Sequence, residues 1–197
     1  MAVKKKSPAR PPVSALGEAK AAGLPSDISA LFAACEEKLG FVPNVFRAYT
    51  MDLDKLRHFR AMYNDLMLGD SPLSQLEREM IAVTVSAVNR CHYCLIAHGA
   101  AVRQLSADAT LGDTLVANYR AAKLSRRQRL MLDFAHKLTA TPEAIEDTDR
   151  ATLKRAGFSA LAIFHIAAVV GFFSMSNRLA AATAMLPNDE YYALGRD

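Results

Sequence analysis

One segment decides which fold class this chain can adopt. "IAVTVSAV", residues 81–88, places apolar side chains at every second position from Ile81 to Ala87, which is typical of a β-strand. The same segment follows "SPLSQLEREM", in which Ser74 and Glu77 stand at the two positions of a helix capping box. No other segment offers a clear strand partner, so the context favours a helix. The sequence therefore predicts an all-α domain.

Helical signals account for the rest of the chain. Serine residues stand at the expected first positions of several apolar-periodic segments, and glycine residues stand where two of them end. These signals predict helices in a segment that ends at Gly40, in 51–68, in 106–124, in 125–140, in 141–157 and from Ser159 to about Met185.

The positive charge is concentrated at the beginning of the chain. The formal net charge is +4, and four basic residues, Lys4, Lys5, Lys6 and Arg10, precede the first acidic residue. Without those four, the 24 basic residues fall to 20, equal to the 20 acidic ones. A neutral body argues against an extended nucleic-acid surface. We predict a disordered basic tail over 1–16 and a single helical domain over 17–197.

The apolar and cysteine content indicates where the protein acts. The most apolar run, 158–173, is sixteen residues long and contains His165, so it is short for a membrane span and is predicted to be a buried helix. The basic tail lacks the apolar stretch of a secretory signal. Three cysteines do not make a disulfide scaffold, and a close pair in such a chain is typical of a catalytic or metal site. We expect a reducing cytoplasm.

That close pair lies in "NRCHYCLIAHGAA", residues 89–101. Asn89 tolerates the left-handed conformation that ends a helix, so a break there would start a new helix at the cysteines. On that helix Cys91, Cys94 and His98 share one face over two turns, whereas His92 points elsewhere. The helix N-terminus favours a thiolate at Cys91, and the imidazole one turn away favours a thiolate at Cys94.

A carboxylate on the preceding helix is placed to meet this histidine. Glu79 lies about 15 Å before the proposed break, and His98 lies about 13 Å after it, at roughly 1.5 Å per residue. If the two helices fold back as an antiparallel pair, both side chains reach similar heights. Glu77 would point away from Glu79 by about 200°.

These residues reproduce a known signature. Glu79, Cys91, Cys94 and His98 follow the spacing E-x11-C-x2-C-x3-H, and "EREMIAVTVSAVNRCHYCLIAHGAA" resembles the alkylhydroperoxidase D-like (AhpD-like) group of the carboxymuconolactone decarboxylase superfamily. The text "AGFSALAIFHIAAVVGFFSMSNRLA" is similar to the peroxidase-related branch of that group. The resemblance implies an AhpD-like helical bundle with the CxxC at the start of a central helix. It also implies a homo-oligomer, as a trimer or a hexamer of dimers.

The resemblance further implies thiol-dependent reduction of alkyl hydroperoxides. Cys94 would be the peroxidatic thiolate and Cys91 the resolving thiol, with Glu79 and His98 as the proton relay. The expected partners are a hydroperoxide substrate and an external dithiol reductant, with no cofactor, no nucleic acid and no membrane. The chain departs from the family at the two residues between the cysteines, because the second is Tyr93 and the histidine is His92.

Other interpretations of the thiol pair remain open at this stage. A redox-sensing or interaction protein needs the two thiols but no proton relay. Structural zinc prefers four ligands, and Cys91, Cys94 and His98 supply three, to which Glu79 would add a fourth. A thioredoxin-like site would require 81–88 to be a strand in a βαβ unit.

Overall fold

The computed structural model describes residues 12–19 and 23–196. Within this part of the chain the regular structure is entirely helical, so the predicted all-α class is confirmed. The α-helices are α1 (Ser26–Leu39), α2 (Asn44–Ala48), α3 (Leu53–Tyr63), α4 (Gln75–Val88), α5 (His92–Ser106), α6 (Ala109–Asn118), α7 (Arg126–Ala140), α8 (Asp147–Arg155) and α9 (Ala160–Ala182). Short 3-10 turns follow α2, α6, α7 and the end of α9, and a π-turn follows α3.

Helix caps account for the boundaries that the sequence predicted. The segment 81–88 is the second half of α4, and Ser74 and Glu77 complete the capping box at its start. Ser125 begins α7 with a second capping box, and the Ser159 side chain accepts a hydrogen bond from the first turn of α9. Each cap supplies an acceptor for a backbone N–H that has no partner within the helix.

Helix α4 lies at the centre of the fold. It packs against α5, α6, α7 and α9. Every residue from Glu77 to Ser86 is buried, so this stretch of the helix has no solvent-facing side. A helix surrounded by other helices must find partners inside the protein for any polar side chain it carries. Glu79, Thr84 and Ser86 are such side chains.

Helix α9 is buried on one face only. Ile166, Val169 and Phe173 lie in the core, whereas Leu161 and Phe164 are exposed. The prediction that 158–173 is a buried helix is therefore correct for one face. Within the described residues, α9 is the helix whose length and composition would allow it to cross a membrane, and 44% of its most apolar window is buried against the rest of the protein. Core helices meet the same test.

The predicted tail extends too far into the chain. Residues 1–11 lie outside the described part, but Val13 and Ser14 are buried. The Ala15 N–H donates to the Thr183 carbonyl at 2.8 Å, and the Leu186 N–H donates to the Val13 carbonyl at 3.0 Å. The prediction that residues 13–16 belong to a disordered tail is therefore wrong, because the Val13 side chain packs against the end of α9. The single domain over 17–197 stays a prediction.

Close packing of α5 against α6 requires glycine at position 112. A Cβ atom there would lie 2.5 Å from Arg103 Cγ and 3.1 Å from the Gly99 carbonyl oxygen. Arg103 cannot easily move, since its guanidinium donates to the Leu194 and Tyr191 carbonyls at 2.9 and 2.7 Å. At Gly171, an exposed position in α9, a Cβ atom would meet no other atom within 4 Å.

We expect Gly112→Ala to lower the free energy of unfolding by about 1–3 kcal/mol through overpacking. Gly171→Ala is the matched control, and it should raise stability by up to about 1 kcal/mol because alanine favours helix. Denaturant unfolding monitored by circular dichroism measures both. Equal effects of the two substitutions would contradict the packing argument.

Candidate active site

The two cysteines lie at the start of α5. Cys91 is the N-cap residue and Cys94 lies in the first turn, and both are buried free thiols. The chain breaks between α4 and α5 as predicted, but Arg90, with φ 53°, takes the left-handed conformation, whereas Asn89 stays helical. The Cys91 N–H donates to the Ser86 carbonyl at 2.9 Å, which connects the new helix to the end of the old one.

Glu79 and His98 meet across the antiparallel α4–α5 pair. The distance between His98 Nδ1 and Glu79 Oε2 is 2.6 Å. Their side chains are 12% and 8% exposed, so the contact is largely shielded from water. The Phe173 ring stands edge-on to the imidazole, with the ring centres 4.5 Å apart. The carboxylate thus fixes the orientation of the imidazole, as the helical spacing predicted.

Glu77 takes no part in this contact. Its carboxylate accepts the Ser74 N–H at 2.9 Å and forms an ion pair with Arg127 of α7. The two acidic side chains of α4 therefore point in different directions, as expected for residues two apart on a helix. Glu77 serves as a matched reference for Glu79.

Helix α9 contributes two polar residues that the sequence interpretation missed. Asn177 is 1% exposed. Its Nδ2 donates to Ser86 Oγ at 3.1 Å, and its Oδ1 accepts from Asn89 Nδ2 at 3.0 Å. Asn177 lowers the pKa of both cysteines, and Ser176 lowers that of Cys94, because their polar side chains favour the thiolate. The signal in the sequence was a pair of adjacent polar residues within an apolar helix.

The two thiols share one negative charge. The side-chain hydrogen bond from Cys94 lowers the pKa of Cys91 to about 6, and the nearby His98 lowers it further against the opposing effect of burial. The pKa of Cys94 is raised well above its usual range, because of its hydrogen bond to Cys91 and because it is buried. At neutral pH the pair therefore holds one thiolate, and the charge lies on Cys91.

A cavity of about 270 Å³ opens beside Cys91. Its wall includes Arg90, Cys91, Tyr93, Ala180, Met185 and Leu186. Cys94 does not belong to this wall. A small molecule in the cavity would therefore meet the Cys91 sulfur first.

The residues between the cysteines face away from the relay. His92 is exposed, and its Nε2 lies 3.3 Å from the Tyr192 hydroxyl. Tyr93 is buried, and its hydroxyl accepts the Val45 N–H at 3.1 Å. Burial raises the pKa of Tyr93 well above its usual range, so the phenol stays neutral. Neither side chain hydrogen-bonds to Glu79 or His98, and Tyr93 connects α5 to α2.

The zinc interpretation finds no supporting geometry. Across residues 12–19 and 23–196, no three His, Cys, Asp or Glu side chains are arranged to hold a metal ion. A structural zinc site normally has four such ligands. The thiols and the Glu79–His98 pair instead form an arrangement suited to proton transfer next to a nucleophile.

Comparisons with known proteins identify the family of this chain. Residues 54–115, which include all four site residues, match the carboxymuconolactone decarboxylase family. The uncharacterized protein YnjA of Escherichia coli (strain K12) is 30% identical over 115 residues, which span 57% of this chain and 61% of YnjA.

Two solved structures match over nearly the whole chain. One is an uncharacterized peroxidase-related protein from Silicibacter sp. TM1040, with 56% identity and a TM-score of 0.91, covering 93% of this chain and 96% of that one. The other, described as an alkylhydroperoxidase AhpD core from Ralstonia eutropha JMP134, has 39% identity and a TM-score of 0.93, covering 95% and 99%. The chain belongs to the AhpD-like, peroxidase-related group of the carboxymuconolactone decarboxylase family.

The shared charge predicts an unusual pH dependence. Alkylation of Cys91 by iodoacetamide should rise as the pH increases through about 6, because the thiolate is the reactive form. An ordinary thiol here would titrate near 9.0. Cys94→Ala removes the hydrogen-bond donor and should move the midpoint towards that value. Mass spectrometry of the Cys91 peptide measures the rate, and a wild-type midpoint near 9 would contradict the shared charge.

Proposed function

We propose that this protein reduces organic hydroperoxides through a dithiol/disulfide cycle of Cys91 and Cys94, with Glu79 and His98 as the proton relay. The observation that carries the proposal is the 2.6 Å contact between His98 and Glu79. Two thiols that only sense oxidants need no such contact. Membership of a peroxidase-related family supports the same class of activity.

The cycle begins when a thiolate attacks one peroxide oxygen. The O–O bond breaks, the sulfur becomes a sulfenic acid and an alkoxide leaves. Protonated His98 donates its proton to the alkoxide, and Glu79 stabilises the charged imidazole before that transfer. The second thiol then attacks the sulfenic sulfur, water leaves and a disulfide forms. Two electrons pass to the peroxide, and an external dithiol returns them to the protein.

Different arguments favour different sulfurs for the first attack. The family resemblance assigns it to Cys94, with Cys91 as the resolving thiol. The lower pKa of Cys91 and its position in the cavity wall favour Cys91. The sulfenic acid distinguishes the two orders. If it is trapped in Cys91→Ser but not in Cys94→Ser, Cys94 attacks first, and the reverse pattern assigns the attack to Cys91.

The same proposal bears on the compartment, the reductant and the assembly of the enzyme. A disulfide that forms in each turnover must be reset, so we propose action in a reducing cytoplasm with a protein or small-molecule dithiol as reductant. From the family resemblance we also propose a homo-oligomer, either a trimer or a hexamer of dimers.

Peroxide consumption with dithiothreitol as reductant tests the proposal. Cys91→Ser and Cys94→Ser should abolish turnover. His98→Ala and Glu79→Gln should reduce kcat by about 10²- to 10⁴-fold, the usual contribution of general acid–base catalysis. Glu77→Gln, His58→Ala on the exposed side of α3 and Cys35→Ser on α1 are matched controls outside the site, and they should retain activity.

Two results would overturn the proposal. Absence of turnover in the wild type, together with oxidation of the thiols to a disulfide, would assign the protein to redox sensing. A Cys94→Ser variant with full activity would exclude the disulfide cycle. Intact-mass measurement of the disulfide after peroxide treatment separates a sensor from a misfolded sample.

A further inference from the structure

The solvent-facing side of α9 carries the residue spacing of a coiled coil. One row of residues recurs at alternating steps of three and four positions, as the a and d positions of a heptad repeat do. This row, called the seam below, consists of Leu161, Phe164, Ala168, Gly171, Met175, Arg178 and Ala182. Its three large apolar side chains, Leu161, Phe164 and Met175, are 58%, 69% and 48% exposed. A heptad seam normally packs against another helix, whereas this one faces solvent.

The opposite face of α9 is already occupied by the interior of the protein. Val169 and Phe173 lie in the core, and Asn177 reaches the thiol site. Helix α9 is therefore apolar on both sides, which is typical of a helix that is covered all round. The fold of one chain covers one side only.

The charge of the seam limits what can cover it. Helix α9 contains one arginine, Arg178, and no lysine or acidic residue. The Arg178 Nη1 donates to the Ser174 carbonyl at 2.6 Å, which holds the guanidinium along the seam. A lipid surface would bury this charge without a partner, which is unfavourable. A second helix of the same kind offers the exposed ring of Phe164, and an aromatic face attracts a guanidinium.

We infer that the seam is the contact between two copies of this chain, packed as an antiparallel pair of α9 helices with Gly171 at the two-fold axis. Residues at equal distances before and after Gly171 then meet. Phe164 lies seven positions before Gly171 and Arg178 lies seven after it, so each guanidinium meets the aromatic ring of the other copy. A parallel pair would bring the two copies of Arg178 together, and like charges repel.

The sizes of the facing side chains also match in the antiparallel pair. Leu161 lies opposite Ala182, and Met175 lies opposite Ala168. At the centre, Gly171 faces its own copy, and its Cα has free space on the side where a Cβ would lie. Large side chains thus meet small ones, which is the condition for interdigitated packing. The sequence of α9 is complementary to itself in this direction.

Exposed apolar residues beside the seam extend the contact. A helix of 23 residues is about 34 Å long and about 10 Å wide, so the seam alone covers roughly 340 Å², less than the about 800 Å² per partner of a stable interface. The π-turn after α3 packs on α9, and its Leu68 is 56% exposed. On another side, the Tyr49 hydroxyl lies 4.0 Å from Met175 Sδ, and Met51, two residues later, is 58% exposed. These side chains supply further apolar area for a second copy.

A two-fold contact requires an even number of copies. Of the two assemblies proposed above, it therefore selects the one that is built from dimers. The contact does not depend on the catalytic cycle, because the seam and the thiols lie on different sides of α9.

Analytical ultracentrifugation of the full chain tests the contact. The wild type should sediment at twice the chain mass of 21.5 kDa, or at an even multiple of it. Phe164→Lys should raise the Kd of the two-copy step about 10-fold or more, because symmetry replaces an attraction by a repulsion in two places. Leu105→Lys, at a leucine of α5 that is 44% exposed, is the matched control and should leave this Kd unchanged.

A charge exchange tests the direction of the helices. Arg178→Glu alone should also weaken the contact. Combined with Phe164→Lys, it should return the Kd to within a few-fold of the wild-type value, because each lysine then faces a glutamate of the other copy. In a parallel pair, the same double variant would bring like charges together. Circular dichroism verifies that every variant is folded.

Several outcomes would overturn the inference. These are a wild type with a mass of one chain or an odd multiple, a double variant that associates no better than the single ones, and equal weakening by Leu105→Lys. A monomeric wild type that sediments with phosphatidylcholine vesicles would assign the seam to a lipid surface instead.

Peroxide consumption by the same samples tests the proposed function separately. A monomeric wild type that consumes peroxide would refute the inference and leave the proposed function standing. A dimer that depends on the seam but consumes no peroxide would have the reverse meaning.

Discussion

A buried carboxylate that must be paired determines the arrangement of this protein's interior. Glu79 lies on α4, which has no solvent-facing side over much of its length, and an unpaired charge there would cost several kcal/mol. His98 offers the only hydrogen bond to that carboxylate within the described residues. The contact exists because α4 and α5 run antiparallel from a break at Asn89 and Arg90. The thiols are placed by the same break, so the carboxylate, the imidazole and both sulfurs are positioned by one turn of the chain.

Besides α4 and α5, helix α9 contributes to the site, although it lies far from them in the sequence. Asn177 on α9 connects Ser86, at the end of α4, with Asn89 in the break, and it also lowers the pKa of Cys91. A single amide therefore joins three elements and contributes to the electrostatic environment of the thiols. The charge on the pair is thus a property of the packed fold and does not belong to the CxxC sequence alone.

Local sequence patterns predicted the features that depend on neighbouring residues, such as helix caps and the spacing along a helix. The capping box at Ser74, together with the lack of a clear strand partner, favoured a helix at 81–88. Counting residues from the break placed Glu79 and His98 at similar heights in an antiparallel pair of helices. Asn177 was not predicted, because its partners lie more than 80 residues away and helical periodicity carries no information on which helices pack together. The left-handed residue was expected at Asn89 because of its intrinsic preference, but it lies at Arg90, where the hydrogen bond from the Cys91 N–H to the Ser86 carbonyl closes the end of α4.

The position of the break also limits how the chain can change in length. Each residue of a helix turns the next by about 100° and advances it by about 1.5 Å. One residue inserted between Glu79 and Val88 would therefore rotate the carboxylate away from His98, however well the new residue suited a helix. Insertions in the loops between other helices would leave this distance unaltered. In this protein, substitutions within α4 preserve the site if they fit the core, whereas a change in the number of residues between Glu79 and Cys91 removes it.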